Sequence, residues 1–264
     1  MTGGRFDARV GVVHPQQMPS AFVGTSGFAS PSCRSDLRAA TGASEDLLRG
    51  YSQRFEVLEM DSCFYRPPNR DTVRSWADAT PADFRLSVRV PRDVTHVDRL
   101  KDASGVQRYL DTLEPLDGRL RALLFTVAPS MECDMRRLRA VLGALPEGVL
   151  SAWECRHPSW SEPEVVEVMG AYGAAVAGVE TEDGLSGSVC LGEDTPAPPF
   201  AYVRFRRDSY RAADLVSWGK MLRRCLRSGR DVYAFFRQSA EAMAYAQAMI
   251  ELLQDEEPAS AGAA

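Results

Sequence analysis

Apolar residues along this chain fall into short runs separated by amphipathic stretches. Runs with strand character are read at 21–25, 57–61, 85–90, 120–127, 150–156, 174–179, 201–205 and 231–236. Helical periodicity lies between them, at 44–53, 70–79, 134–145, 162–172, 213–227 and 240–253, with a weaker pattern at 104–116 broken by Pro115. Start signals agree with this reading: Ser44 and Asp134 stand as caps, Pro67, Pro68 and Asn69 precede Arg70, and Pro163 falls in a first turn. Eight strands alternating with helices predict a parallel sheet, because parallel neighbours need a crossover between them. The expected fold is α/β, a single (β/α)8 TIM-type barrel over residues 20–254. An open doubly wound sheet is the alternative. It calls for a glycine-rich phosphate turn after the first strand, and "GTSGFAS" is not G-x-G-x-x-G. The segment "TEDGLSGSVCLGEDTPAPP" after the sixth strand is too rich in glycine and proline for a helix. A loop or small hairpin is expected there. Residues 1–19 read as an extension and 255–264 as a disordered tail.

Composition narrows the function classes. The 264 residues carry a formal charge of −5, so the chain as a whole is no polyanion binder, although a local basic pocket is compatible with it. Lys101 and Lys220 are the only lysines, and the remaining positive charge is guanidinium, which suits bidentate contacts to carboxylate and phosphate. Six scattered cysteines form no C-x-x-C pair and no zinc spacing, and they read as free thiols. No apolar run is long enough to span a bilayer, and the N-terminus lacks a signal-peptide core. A cytoplasmic protein is the expectation, its oligomeric state left open by the sequence with a monomer favoured.

The charged residues are less ordinary than the totals. Charge inside a strand is costly unless it is paired or used, yet "AWECRHPSW" puts Glu154, Arg156 and His157 at the end of the fifth strand. "VLEMDSCFY" sets Glu59 and Asp61 on one face, "FRLSVRVP" sets Ser87 beside Arg89, and "AYVRFRRDSY" aligns Tyr202, Arg204 and Arg206. If these are inner faces, three carboxylates and four guanidiniums meet at the carboxyl mouth, where barrel active sites form. A structural ion-pair network is the competing explanation. His96 and His157 follow strand ends and suit proton exchange near neutral pH. Tyr65 is placed at the mouth, and Trp76 and Trp160 are read as helix-packing anchors.

These residues resemble a known family. "GTSGF", "VLEMDSCFYRPPNRDTVRSWADATPADFRLSVRVPRDVTH", "WECRHPSW", "YVRFRRDSY" and "DVYAFFRQSAEAMAYAQAM" run in the order found in the YecE-like family, also called domain of unknown function 72. The resemblance implies a TIM-barrel fold with a distant sugar-isomerase-like label and no established reaction. By motif, it singles out Gly24 to Gly27, with Ser26 among them, then Glu59, Phe64, Tyr65, Thr95, His96, Glu154, Arg156, His157, Trp160, Tyr202 and Arg204. The chain departs from the family pattern at several strand ends. Asp61 replaces an asparagine, Cys63 a threonine, Arg89 a lysine and Thr126 a glutamine. Arg206 and Arg207 replace His-Gly, and Arg237 and Gln238 replace paired asparagines. The chain is therefore expected to be a divergent member, either with an altered ligand or with the ancestral activity lost.

The expected activity is binding or conversion of a small anionic or polyhydroxylated metabolite such as a sugar phosphate. Glu59, Glu154 and His157 are the candidates for proton transfer or hydrolysis. Ser26, Asp61, Tyr65, Arg89, His96, Arg156, Tyr202, Arg204 and Arg206 are the candidate ligand-binding residues. No cofactor and no metal ligand set is predicted. The alternative is a metal-dependent sugar isomerase or hydrolase using Glu59, Glu154, Glu180 and His157, against which the neighbouring arginines argue by repulsion. A non-catalytic module binding single-stranded nucleic acid through "RFRRDSYR" is the third possibility, disfavoured by the acidic balance.

Overall fold

Extended runs and amphipathic helices alternate along the chain in the computed structural model, which describes residues 18–28, 30–41, 47–187 and 200–255. The strands are β1 (Ala21–Ser26), β2 (Val57–Met60), β3 (Arg85–Arg89), β4 (Leu120–Thr126) and β5 (Leu150–Glu154), then β6 (Ala174–Val176), β7 (Gly178–Thr181), β8 (Gly184–Ser186), β9 (Phe200–Phe205) and β10 (Asp231–Arg237). The helices are α1 (Pro31–Thr41), α2 (Leu47–Ser52), α3 (Arg70–Ala79), α4 (Ser104–Leu113), α5 (Met135–Gly143), α6 (Pro163–Ala171), α7 (Ala212–Arg227) and α8 (Ala242–Gln254). The strands form one curled sheet in the order β6-β5-β4-β3-β2-β1-β10-β9-β7-β8, surrounded by the helices. Every pairing is parallel except the hairpin of β7 with β8. The result is an α/β half-barrel.

The sheet has two faces with different fillings. Phe22, Val57, Leu124, Tyr202, Tyr233 and Phe235 belong to a cluster on the concave side. Their alternates Val23, Leu58, Leu123, Val203, Ala234 and Phe236 join the larger core beneath the helices. Aromatic rings from β9 and β10 share the concave cluster with Ala122, Ala152, Ala175 and Ala177, so large side chains from one half fill space left by small ones in the other. Between β1 and β2 the ladder is reduced to Ser26 opposite Glu59. Tyr51 bridges the gap: its hydroxyl accepts from Thr25 N at 2.9 Å and donates to Val57 O at 3.1 Å. A Cβ at Gly24 would lie 2.3 Å from Val57 O, so only glycine lets the strands approach this closely.

Several expectations change. The run 174–179 is not one strand: β6 pairs with β5, and β7, one residue further on, pairs with β9. The glycine-rich segment does begin as a hairpin, with Thr181 opposite Gly184; residues 188–199 lie outside the described residues. Helix α1 was not anticipated, although Ser30 and Pro31 supply a cap and a first-turn proline, with Cys33 N donating to Ser30 Oγ at 3.1 Å. The proposed cap Ser44, the extension up to residue 17 and the tail from 256 lie outside the described residues. Asn69 and Asp134 cap α3 and α5 as read, accepting from Thr72 N and from Arg136 N and Arg137 N. Cys33, Cys63, Cys133 and Cys155 are free, whereas Cys225 is disulfide-bonded, which corrects the reading of all six as free thiols. Among the described residues no helix is long and apolar enough to cross a membrane.

Candidate functional site

Strand alternation delivers charge to the concave face at the carboxyl ends. Val57 faces inward, so Glu59 does too; Ala152 brings Glu154 with it, and Tyr202 brings Arg204. Arg204 is 1% exposed and lies at the centre of the group. Its Nε donates to both oxygens of Glu59, at 3.2 and 3.1 Å. Its Nη2 donates to Glu59 Oε1 at 2.8 Å and Asp61 Oδ1 at 2.6 Å, and its Nη1 to Glu154 Oε2. Tyr202 donates its hydroxyl to Glu59 Oε2 at 2.7 Å and is 2.6 Å from Ser87 Oγ. Glu59, fully buried, thus holds Arg204 and Tyr202 at the floor.

The remaining guanidiniums stand nearer the opening. Arg89 donates to Asp61 Oδ1 at 2.9 Å and to Thr126 Oγ1 at 3.1 Å, and lies over the Phe64 ring at 3.8 Å. Arg206 comes only within 3.9 Å of Asp61 Oδ2. Arg156, 63% exposed, comes within 3.6 Å of Glu154 Oε1. Asp61 is not on β2 as read but opens a 3-10 turn (Asp61–Phe64), from which it still reaches Arg204 and Arg89. The structure therefore brings together Glu59, Asp61 and Glu154 with Arg89, Arg156, Arg204 and Arg206, four guanidiniums against three carboxylates.

These surroundings fix the charge states. Burial alone would raise the Asp61 carboxyl, but Arg204, Arg89 and Arg206 outweigh it and hold it below its ordinary 3.8. Burial likewise opposes ionisation of Glu154, and the charge and hydrogen bond of Arg204, with Arg89 and Arg206 behind them, bring it below its ordinary 4.5. Burial, followed by the like charge of Arg204, lowers the affinity of Arg206 for its proton. Burial and the neighbouring Glu59 push the Tyr202 phenol far up, so it acts as a neutral donor.

A pH dependence follows with a definite sign. Carboxyls depressed in the folded state bind fewer protons than in the unfolded chain, so stability rises with pH across that interval. The contribution of Asp61 and Glu154 is expected to be complete above about pH 5 and to drain away as pH falls below 4.5. Urea midpoints from pH 3 to 7 measure this, and Glu154→Gln should flatten the acid limb. An unchanged acid limb in that variant would show that Glu154 is not depressed.

The other candidates have separate surroundings. His96 sits on a turn of π-helix (Asp93–Val97); its Nδ1 is 2.9 Å from Thr95 Oγ1 and its ring meets the Phe64 ring edge-on at 5.1 Å. Burial, then Arg92, Arg89 and Arg99, lower its pKa from 6.5, so it is neutral at pH 7. His157 caps the turn Pro158–Ser161, its Nδ1 accepting from Ser159 N at 3.3 Å, and its Nε2 stands 4.0 Å from Glu132. Among the described residues no hydrogen bond joins either imidazole to the Arg204 group. Tyr65, 74% exposed, packs edge-on against Phe64. Glu180 is occupied by Arg207 at 3.1 Å and by the Tyr210 hydroxyl, so it does not join Glu59, Glu154 and His157. Among the described residues no group of three or more His, Cys, Asp or Glu side chains is arranged to hold a metal ion.

Beside the charged group lies a cleft of about 430 Å³. Asp61 and Arg206 line it together with Ser26, Gly27, Phe28, Met60, Ser62, Trp76, Arg237 and Gln238. Ser26 was among the candidates. Arg237, Gln238 and Phe28 were not, although the first two had stood out as departures at the last strand end. Trp76, read as a packing anchor, also forms cleft wall. Trp160 is such an anchor: it stacks on Trp153 at 5.5 Å and donates to Met131 O at 2.8 Å.

A charged concave face framed by parallel strands and outer helices defines an α/β half-barrel with its polar end at the strand carboxyl termini. The sequence matches the family described as "Protein of unknown function DUF72" over residues 22–263, and the chain belongs to that family. Its fold is similar to a DUF72 family protein from Thermotoga maritima, at 22% identity and a TM-score of 0.69, covering 89% of this chain and all of that one. It is also similar to a DUF72 family protein from Enterococcus faecalis, at 18% identity and a TM-score of 0.65, covering 90% of this chain and 99% of that one. No curated protein matches the chain.

Proposed function

We propose that the curled sheet is a TIM-type (β/α)8 barrel whose carboxyl mouth binds, and converts, a small anionic or polyhydroxylated metabolite such as a sugar phosphate. Closure is supported by the segment spanning β6 and β7. Its first half pairs with β5 and its second half with β9, so one stretch of chain links the two sides of the sheet. Counted as one staggered strand, that segment gives eight around the ring.

The functional reading is carried by the unequal engagement of the guanidiniums beside an open cleft. Arg204 is saturated by carboxylates, while Arg206 lines the cleft and Arg156 is exposed to solvent, with carboxylate contacts of only 3.9 and 3.6 Å. A set of charges serving stability alone gains little from burial, and it has no use for loosely held cations at its rim. The roles divide by access. Glu59 is sealed and orients Arg204, so it acts as a positioning residue. Glu154 has one oxygen on Arg204 and the other turned to exposed Arg156, which makes it the group placed to exchange a proton with a bound hydroxyl. A cleft of this size suits a small molecule better than a nucleic-acid strand.

The test is titration of the protein with sugar phosphates and free sugars, alongside Glu154→Gln. A ligand that the native protein converts should be turned over about 10²-fold more slowly or worse by the variant. Circular dichroism should be unchanged and the variant should stay folded, since the amide still offers Arg204 an acceptor, with the neutral-pH urea midpoint lowered only by the share the depressed Glu154 carboxyl supplies. Two results overturn the reading: no compound binding the native protein, or Glu154→Gln failing to fold.

A further inference from the structure

Ser26 ends β1 on the concave side, lines the cleft and is 4% exposed, yet its hydroxyl has no hydrogen-bond partner among the described residues. Buried hydroxyls are nearly always paired, so an orphan at a cleft wall calls for a partner that a bound molecule can supply. Two guanidiniums line the same cleft. Arg206 follows β9, and Arg237 is the last residue of β10. Arg237 donates Nη1 to the Arg206 carbonyl at 3.3 Å, which ties the two strand ends together. Its only ion pair among the described residues is with Asp208 at 3.0 Å, the two side chains 49% and 79% exposed and readily exchanged. The carboxylate nearest Arg206 is Asp61, whose Oδ1 already serves Arg204 and Arg89.

Resting on the reading of this cleft as a ligand site, we propose that Ser26, Arg206 and Arg237 form the subsite for the phosphate group of a phosphomonoester, with Phe28 and Trp76 flanking its organic part. A tetrahedral dianion offers oxygens in several directions at once, which matches donors arriving from three strand ends. A planar carboxylate is satisfied by one guanidinium fork. In the proposed barrel, β9 and β10 are the seventh and eighth strands, after which such barrels hold phosphate. Asp61 opposes an anion here, but its charge is already opposed by Arg204 and Arg89 at 2.6 and 2.9 Å.

Calorimetric titration with inorganic phosphate, glucose 6-phosphate, gluconate and glucose tests the assignment. Phosphate and glucose 6-phosphate should bind competitively and more tightly than gluconate or glucose. Arg206→Gln and Arg237→Gln should each weaken both by tenfold or more. Ser26→Ala should weaken them at least threefold while leaving the melting temperature of the free protein level or higher, because it deletes an unpaired hydroxyl. A lower melting temperature for Ser26→Ala would show the hydroxyl to be in structural use and would overturn the subsite. Binding of glucose or gluconate without preference for the phosphorylated probe would overturn the subsite and leave the cleft as a ligand site. No binding by any of the four would remove both.

Discussion

Arg204→Leu is expected to lower the unfolding free energy by about 3–5 kcal/mol at neutral pH, the most damaging of the single changes considered for this protein. The guanidinium is 1% exposed and is shared by Glu59, Asp61 and Glu154. Leucine fills much of the volume but leaves three carboxylates around an apolar side chain. Their remaining partners, Tyr202 on Glu59, Arg89 on Asp61 and Arg156 near Glu154, do not replace a central charge. Deprived of it, Asp61 and Glu154 take up protons more readily, so the deficit against the native protein should shrink between pH 7.5 and pH 5. Arg204→Lys keeps the charge and loses the fork, and should fall between the two. Urea unfolding at both pH values gives the answer. A deficit below about 1 kcal/mol at pH 7.5, or one that grows in acid, would mean that Arg204 does not hold these carboxylates together. The same argument makes Arg204→Ala a poor functional probe, since loss of activity there could not be told from loss of structure.

Much of this site was legible because strand periodicity is rigid. Glu59, Glu154, Tyr202 and Arg204 share an inner face by the rule of two, and no loop geometry is needed to place them. Asp61 was assigned to a strand that ends one residue earlier, at Met60, and Arg206 lies one residue past the strand end read at Phe205 and found there. They still reach the group because residues just past a strand end remain at the mouth. What the pattern could not give is partnership across the sheet. That Glu59 is held by Arg204 and Tyr202, while Glu154 is shared between Arg204 and exposed Arg156, depends on curl and register, which no single strand encodes. The division of 174–181 into β6 and β7 escaped for a related reason: one apolar run changes neighbours midway, and hydrophobicity is the same on both sides of the change. The histidines are a different case. Their position in sequence put both at strand ends, but local bonds to Thr95 and Ser159 set where their rings go.

Trp153→Ala should have the next largest effect, about 3–5 kcal/mol of lost stability. In "AWECRHPSW" the residue before Glu154 points the other way, into the layer beneath the helices. Trp153 is fully buried, stacks on Phe125 with centroids 4.3 Å apart and planes 8° from parallel, and meets Trp160 on its other side. Trp160 in turn donates to Met131 O, and Ser159 accepts from Cys133 N at 2.8 Å, so the stack fastens the turn after β5 to the segment after β4. Alanine leaves a cavity between Phe125 and Trp160, and the bond from Trp160 to Met131 O limits how far the site can collapse. Trp153→Phe, which keeps a stacked ring, should lose much less. Because Glu154 is the next residue, a loosened β5 end should also weaken ligand binding at temperatures where the variant is still folded, although Trp153 never faces the cleft. Urea midpoints and near-ultraviolet circular dichroism report the packing, and titration reports the cleft. If Trp153→Ala lost stability but bound ligand as the native protein does, the aromatic layer would support the fold without positioning Glu154.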